Sequence, residues 1–324
     1  METARILDEA GAKFFGVSNV EEGIALRQAG FTQEILLFET TLPELAESIV
    51  DYGLTPTVCN LELARALNSY AAAINAKVNV HIKVDTAMAR LGVTAHDFLN
   101  FIDELLTLDH LRLQGIYTHF ASADCNDELT LRQIQDFFNL LEKLKAKSIN
   151  IPYIHAANSA GLVGFKNFFF NLARPGLMLY GLYPNDEFKR KISLKPALSV
   201  KSKIIFLKKI AQGQGISYGH SFIAQRDMTV AVLPIGYNDG YFRAFSNKAH
   251  VLIDAVRCPV VGRVTMDQTI VDVTGVASPQ LGMPVVILGE QNGLSITAND
   301  LADWAQTISY EIVCALGNRL PRHY

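Results

Sequence analysis

The sequence predicts an α/β protein: a parallel (β/α) TIM-type barrel missing its first strand over residues 1–190, followed by a mostly β domain over residues 191–324. Three observations predict it. Up to about residue 185, short apolar runs alternate with helix-patterned segments, the order expected of parallel strands joined by crossover helices. After about residue 190 the texture changes to β-branched runs separated by short polar turns. The first part holds seven such runs, one short of a closed barrel.

The runs are KFFGV (13–17), EILLF (34–38), LTPTV (54–58), VNVHIKVD (78–85), LQGIYTHF (113–120), YIHAA (153–157) and LARPGLMLYG (172–181). Ser18 and Glu21 have capping-box spacing before VEEGIALRQAG, and Gly30 is placed to end that helix. Thr41 and Glu44 repeat the spacing, with Pro43 near the helix start and Gly53 beyond its end. In the second part LSVKSKIIFL, MTVAVLPIG, AHVLIDAV, PVVGRV, QTIVDVT and PVVILG read as strands, and ANDLADWAQTI as a helix among them.

Composition narrows the function classes. The 324 residues are 49% hydrophobic and 19% charged, which suits a globular enzyme with a large core. A formal net charge of -3 attracts no polyanion, so nucleic acid is not an expected partner. Cys59, Cys125, Cys258 and Cys314 are scattered, so neither a metal site nor a disulfide framework is expected. No apolar run is long enough to span a bilayer, and METARILDEAGAKFF lacks the order of a signal peptide. The expectation is a cytoplasmic protein with no membrane partner.

Chemistry in such a barrel sits at the C-terminal ends of the strands. Those ends carry Lys83, Asp85 and Arg90, then Thr118 and His119, then His155, Asn158 and Ser159, then Arg174 and Gly176. Singly, each has a plain structural explanation: a strand lysine at a solvated edge, a core histidine, an arginine capping a turn. Gathered at one mouth, two histidines, two arginines and a lysine describe a pocket for an anion. Phosphate is the natural ligand, held by the loops after the last two strands, where Ser159 offers a hydroxyl and Gly176 and Leu177 offer amides. With the phosphate loops last, the missing strand belongs at the front.

The motifs KVDTAMARLG, YTHFASAD, HAANSAG, ARPGLMLYG, ISYGHSF, PIGYNDGY, VGRVTMDQ and ISYEIVCALGNRLPR together resemble the alanine racemase family. The resemblance runs from about residue 5 to the C-terminus. It implies a pyridoxal 5′-phosphate enzyme that interconverts L- and D-alanine, supplying D-alanine for peptidoglycan. It also implies a head-to-tail homodimer with shared active sites. Ala87 stands where the family often has glycine, a departure read as minor. The family's opening strand, with the lysine that forms a Schiff base with the cofactor, has no counterpart here. Residues 1–324 alone are therefore expected to bind the cofactor reversibly and to show little or no racemase activity.

The resemblance also implies roles. Arg174 is similar to the arginine facing the pyridine nitrogen, and an arginine there keeps that nitrogen unprotonated. His119 and His155 resemble the residues bonded around it. Tyr218 resembles the tyrosine that moves a proton on one face of the substrate; a free tyrosine ionises near pH 10, so it needs cationic neighbours to act as a base. Arg90 resembles the arginine that holds this tyrosine and the substrate carboxylate. Lys83 resembles a carbamylated lysine that orients that arginine. Asn158, Ser159, Gly176, Leu177 and Tyr310 match cofactor-binding positions, and Tyr237 and Met266, with Asp267 beside them, match the substrate entrance.

Other readings stay open. An inactive pyridoxal-phosphate-binding pseudoenzyme retains all of these residues, although a simple carrier would lack the second domain. An amino-acid decarboxylase would place a carboxylate where Arg174 stands. A racemase for lysine, serine or another amino acid differs only in pocket shape near Tyr237 and Tyr310.

Overall fold

The structure, a computed structural model, describes residues 1–324 apart from Asn167, Phe169 and Asn318. It divides into two units, Met1–Gly176 and Leu177–Tyr324.

In the first unit the apolar runs become parallel strands. β1 (Phe14–Val17) pairs with β2 (Glu34–Leu37). β3 (Thr57–Val58), β4 (Val78–Lys83), β5 (Leu111–Tyr117) and β6 (Tyr153–His155) pair in that order. A parallel Leu36–Thr55 bridge joins the two ladders. The sheet is strongly curled. Five strand spacings would part β1 from β6 by roughly 24 Å if it were flat. Instead the Phe14 ring meets the Tyr153 ring edge-on with centroids 4.8 Å apart. This is the TIM-type curvature the sequence predicts.

The helices of this unit are α1 (Glu2–Glu9), α2 (Val20–Gln28), α3 (Ala46–Asp51), α4 (Leu61–Ala73), α5 (Phe98–Leu105), α6 (Asp127–Ala146) and α7 (Ser159–Gly164), of which α2 to α6 cross over between successive strands. α6 buries Ile134, Phe137, Leu140 and Leu144, the spacing of one helical face. Asparagine caps α2, α4, α6 and α7: Asn19, Asn60, Asn126 and Asn158 accept from the amides of Glu22, Leu63, Leu129 and Gly161. Each such cap stabilises its helix by about 1 kcal/mol.

Several expectations need correction. The first capping box is shifted by one residue: Asn19 is the cap, and the Glu22 carboxylate accepts from the Ser18 amide at 2.8 Å. Thr41 does not cap; Pro43–Leu45 form a 3-10 turn leading into α3. LARPGLMLYG is not a strand, so the described residues hold six parallel strands rather than seven. Asn171 and Arg174 still donate backbone bonds to Ile154 and Ala157 beside β6. Pro175 then has no amide to donate, and the Gly176 amide is taken by Ser159, so no ladder can propagate. Leu177–Tyr180 coil into a 3-10 turn.

The second unit is mostly β. β7 (Val200–Lys203), β8 (Phe206–Ile210), β9 (Gly215–Ile216), β10 (Phe222–Ile223), β11 (Met228–Leu233), β12 (His250–Ile253), β13 (Val256–Pro259), β14 (Thr269–Asp272), β15 (Pro284–Gln291) and β16 (Leu294–Ile296) pair antiparallel. AHVLIDAV splits at Asp254 and Ala255, whose φ of 49° and 60° make a hairpin turn. PVVGRV consequently contributes the end of β13 and one bridge, Val260 to Val271, rather than a strand of its own. Two helices follow, the expected α8 (Ala298–Ala305) and an unforeseen α9 (Ser309–Ala315). The core of this unit includes Leu233, Tyr241, Phe245, Leu252, Val271, Val285 and Ile296.

Candidate active site

Strand alternation and register build the barrel mouth. His81 pairs with Gly115 and Lys83 with Tyr117, while Gly115 pairs with Tyr153 and Tyr117 with His155. His81, Lys83, Tyr117 and His155 are all buried, together with the polar side chains of Thr57, Thr118 and Gln133. Gly115 makes room for His81: a Cβ there would lie 2.4 Å from the imidazole.

Arg174 is the hub. Nη1 lies 2.6 Å from Nδ1 of His155, and Nη2 donates to the carbonyls of Thr118 and Ala156 at 2.7 and 3.0 Å. The guanidinium sits 4.9 Å from the centre of the Tyr117 ring, and the Lys83 ammonium lies 5.7 Å from the same ring. Nε–H and one Nη1–H of Arg174 have no acceptor among the described residues. Burial lowers the Arg174 pKa to about 10, so it remains a cation and an obligate donor at neutral pH.

The electrostatics are those of crowded, desolvated cations. Burial, then Arg90 and Arg174, pushes the Lys83 ammonium below its usual range. Burial, then Arg174, Lys83 and Arg90, pushes His119 down to about 3. His155 is held well below the usual imidazole range by burial first and Arg174 next. Asp85 offsets only a small part of the effect on Lys83, and its carboxylate accepts from the amides of Ala87 and Ala89 at 2.9 and 3.1 Å. An anion placed here would relieve all of these shifts together.

The other expected residues fall as follows. Arg90 is exposed and makes no hydrogen bond or ion pair among the described residues. Unmodified Lys83 repels Arg90 rather than orienting it. Asn158 is occupied as the cap of α7 and reaches the Phe120 carbonyl at 3.5 Å. Ser159 Oγ accepts from the Gly176 amide at 3.0 Å, so that amide is spent inside the loop. The space at the Gly176 Cβ position is open. Leu177 is buried at the start of the second unit.

In the second unit the β9–β10 hairpin carries Tyr218 at its tip, where the side chain is 70% exposed. The tip is held by Ser217 Oγ donating to the Arg263 carbonyl at 2.7 Å. Tyr237 and Met266 are brought together: the Tyr237 amide donates to the Thr265 carbonyl and that of Asn238 to Met266, each at 3.0 Å. Arg319 staples both loops, pairing with buried Asp239 at 2.9 Å and with Asp267 at 2.7 Å. Tyr310 lies on α9, partly exposed.

Sequence reading missed Tyr117, His81, Gln133, Asp239 and Arg319. His81 carried a usable signal, since it sits two residues before Lys83 and so shares its strand face. Gln133 carried none. It is buried on α6, where Oε1 accepts from the Ala121 amide at 2.8 Å and Nε2 donates to Thr86 and to the His119 carbonyl, each at 3.2 Å.

A parallel barrel with cations gathered at its mouth, followed by a β-rich unit, is the arrangement of an enzyme acting on a small anionic ligand. Models of the alanine racemase N-terminal domain and C-terminal domain match residues 1–184 and 197–324. The chain belongs to the alanine racemase family. It is 42% identical over 322 residues to alanine racemase of Halothermothrix orenii, covering 99% of this chain and 85% of that one. With alanine racemase of Carboxydothermus hydrogenoformans it shares 40% over 326 residues, covering 100% and 88%. The solved alanine racemase of Clostridium difficile 630 superposes with a TM-score of 0.90 at 35% identity, covering 98% of this chain and 83% of that one. The family is dependent on pyridoxal 5′-phosphate.

Proposed function

We propose that the protein is an alanine racemase that moves a proton at Cα of alanine, with Tyr218 as the acid–base group on one face. The observation that carries this reading is Arg174, an obligate donor clamped by His155 and two carbonyls, with N–H groups to spare at the barrel mouth. That donor set fits the pyridine nitrogen of pyridoxal phosphate, which offers a lone pair. When bound, the cofactor supplies an electron sink for the pair left at Cα. Arg174 keeps the ring nitrogen unprotonated, which moderates that sink. The Ser159–Gly176 loop, with open space beside Gly176, suits the phosphate, and Asn158 shapes the loop as a helix cap.

Arg90 takes the substrate carboxylate, and Arg90 and Arg174 supply the cations that a tyrosine base needs, with neutral His155 bonded to Arg174 and neutral His119 near both. Tyr237 and Met266 form the entrance. Lys83 carries a carbamate that replaces one cation by an anion between Arg90 and Arg174. The exposure of Tyr218 supports a head-to-tail homodimer in which the hairpin of one subunit serves the other's barrel. Among the described residues no helix is long and apolar enough to cross a membrane, and free thiols at Cys59, Cys125, Cys258 and Cys314 support a cytoplasmic setting.

The test is conversion of L- to D-alanine by the protein expressed from its natural gene, with pyridoxal phosphate supplied. Tyr218→Phe should lower the rate by about 100-fold or more. A Tyr218→Phe variant as fast as the parent overturns the role of Tyr218. Faster turnover of another amino acid than of alanine overturns the substrate.

A further inference from the structure

We propose that Glu34 and Gln114 are positioning residues for Arg174, acting through His81 and His155 as one hydrogen-bond chain polarised in a single direction. The inference rests on the reading of Arg174 as the group that faces the cofactor ring.

The chain crosses the barrel interior. Arg174 Nη1 meets His155 Nδ1 at 2.6 Å, and His155 Nε2 meets His81 Nδ1 at 2.9 Å. His81 Nε2 meets Gln114 Oε1 at 3.3 Å, and Gln114 Nε2 donates to Glu34 Oε1 at 3.2 Å. Glu34 also accepts from Thr55 at 2.8 Å and Asn79 at 3.4 Å. It lines a cleft of about 200 Å³ with Arg27, Thr55, Lys77 and Asn79, at the opposite end of the strands from Arg174.

The two ends dictate every link. A guanidinium has no lone pair, so His155 Nδ1 must accept and its proton sits on Nε2. That proton is donated to His81 Nδ1, so the His81 proton sits on Nε2 and is donated to Gln114 Oε1. A carboxylate accepts only, so the Gln114 amide nitrogen must face Glu34. Cation-end and anion-end reasoning give the same polarity at all four links. Bonds aligned this way polarise one another, which makes His155 Nδ1 a stronger acceptor for Arg174.

Gln114 reaches the interior through a backbone irregularity. Val80 pairs with Leu113 but His81 pairs with Gly115, leaving Gln114 as an extra residue in β5. Such bulges re-aim side chains beside functional sites. A regular strand would keep Gly115 and Tyr117 inward and send Gln114 to the other face.

The experiment is tautomer-sensitive ¹H–¹⁵N spectroscopy of the full chain with labelled histidine. Both rings should be neutral Nε2–H tautomers between about pH 6 and 9. In Arg174→Met the tautomers should persist, because Glu34 still anchors the far end. Removing both ends, in Arg174→Met with Glu34→Ala, should mix them; Gln114→Met replaces Glu34→Ala if that pair does not fold. An Nδ1–H proton on either ring of the parent, or scrambling in Arg174→Met alone, overturns the proposal. In the protein from its natural gene, Glu34→Ala should lower kcat about two- to tenfold with KM little changed. Glu34→Gln, which can still accept from Gln114, should restore it; an unchanged kcat in Glu34→Ala also overturns the proposal. The tautomers need neither alanine nor cofactor. A failed racemase assay with the expected tautomers would therefore sink the functional reading and leave the chain of bonds standing.

Discussion

The Tyr117 ring lies flat on the His155 imidazole, with centroids 4.6 Å apart and planes 9° apart. The phenol stands 2.8 Å from Thr57 Oγ1, and burial pushes its pKa up to about 12. Thr57 donates to the Leu37 carbonyl at 2.6 Å, so Tyr117 is the donor in its own bond to Thr57. The ring plate is thus held by a stack on one face and a bond at its hydroxyl, with the Arg174 guanidinium 4.9 Å from its centre. Tyr117→Phe keeps the plate and loses one neutral bond, at a cost of about 1 kcal/mol. Tyr117→Leu removes the plate and should cost about 3 kcal/mol. Urea denaturation of the two variants checks the order; equal losses would mean the stack contributes nothing.

Acid should destabilise the fold through its neutral histidines. His81 and His119 have folded pKa values of about 4 and about 3, against about 6.5 in the unfolded chain. Below the unfolded value the unfolded chain binds protons that the folded rings refuse. Stability is thus fully present above about pH 6.5 and falls as pH drops toward the folded values. At about pH 5 the loss is roughly 2 kcal/mol per ring. Denaturation midpoints at the two pH values test this, and His119→Gln should shrink the difference. A parent protein as stable at pH 5 as at neutrality would contradict it.

Ala87, which stands where the family often has glycine, is strained. Its φ is 119°, a conformation that only glycine adopts freely, and Ala89 follows at 53°. Ala87→Gly should relieve strain of about 1–3 kcal/mol, less the larger entropy of a glycine in the unfolded chain. The expected net gain is about 1 kcal/mol, read as a higher thermal midpoint. A lower midpoint would show that the loop does not hold this conformation.

The legible and illegible parts of the molecule divide on this kind of detail. The order of parallel runs, the change to β texture and the gathering of Lys83, His155 and Arg174 follow from periodicity and motifs. LARPGLMLYG is apolar enough to resemble a strand, but Pro175 removes a donor and Ser159 takes the next amide. Gln114 was invisible for a different reason: strand alternation places it outward, and the extra residue that turns it inward is a property of register. Glu34 reads as a charged strand start, and only the folded pairing reveals that it receives Gln114.

Gly115 is a sharp test of the crowded interior. Any side chain there meets the His81 ring, because even a Cβ would lie 2.4 Å away. Gly115→Ala should cost about 1–3 kcal/mol. It should also part His81 from His155, visible as loss of the single-tautomer signals. A neutral Gly115→Ala substitution would show that His81 has room to move.

Lys83 should take up carbon dioxide. The ammonium first gives up one proton; the neutral amine nitrogen then joins the carbon of CO₂ and releases a second, so that a cation is replaced by an anionic carbamate. Burial and the charges of Arg90 and Arg174 lower the Lys83 pKa, which raises the neutral fraction that can react. The same two arginines then attract the product, so both steps are favoured by one arrangement. With ¹³C-labelled bicarbonate near pH 8, the protein should show one carbamate carbon signal that fades on acidification. Bicarbonate should also raise the thermal midpoint of the parent and leave that of Lys83→Arg unmoved. No signal in the parent, or the same signal in Lys83→Arg, would mean that the cations at this mouth are balanced by something other than a modified lysine.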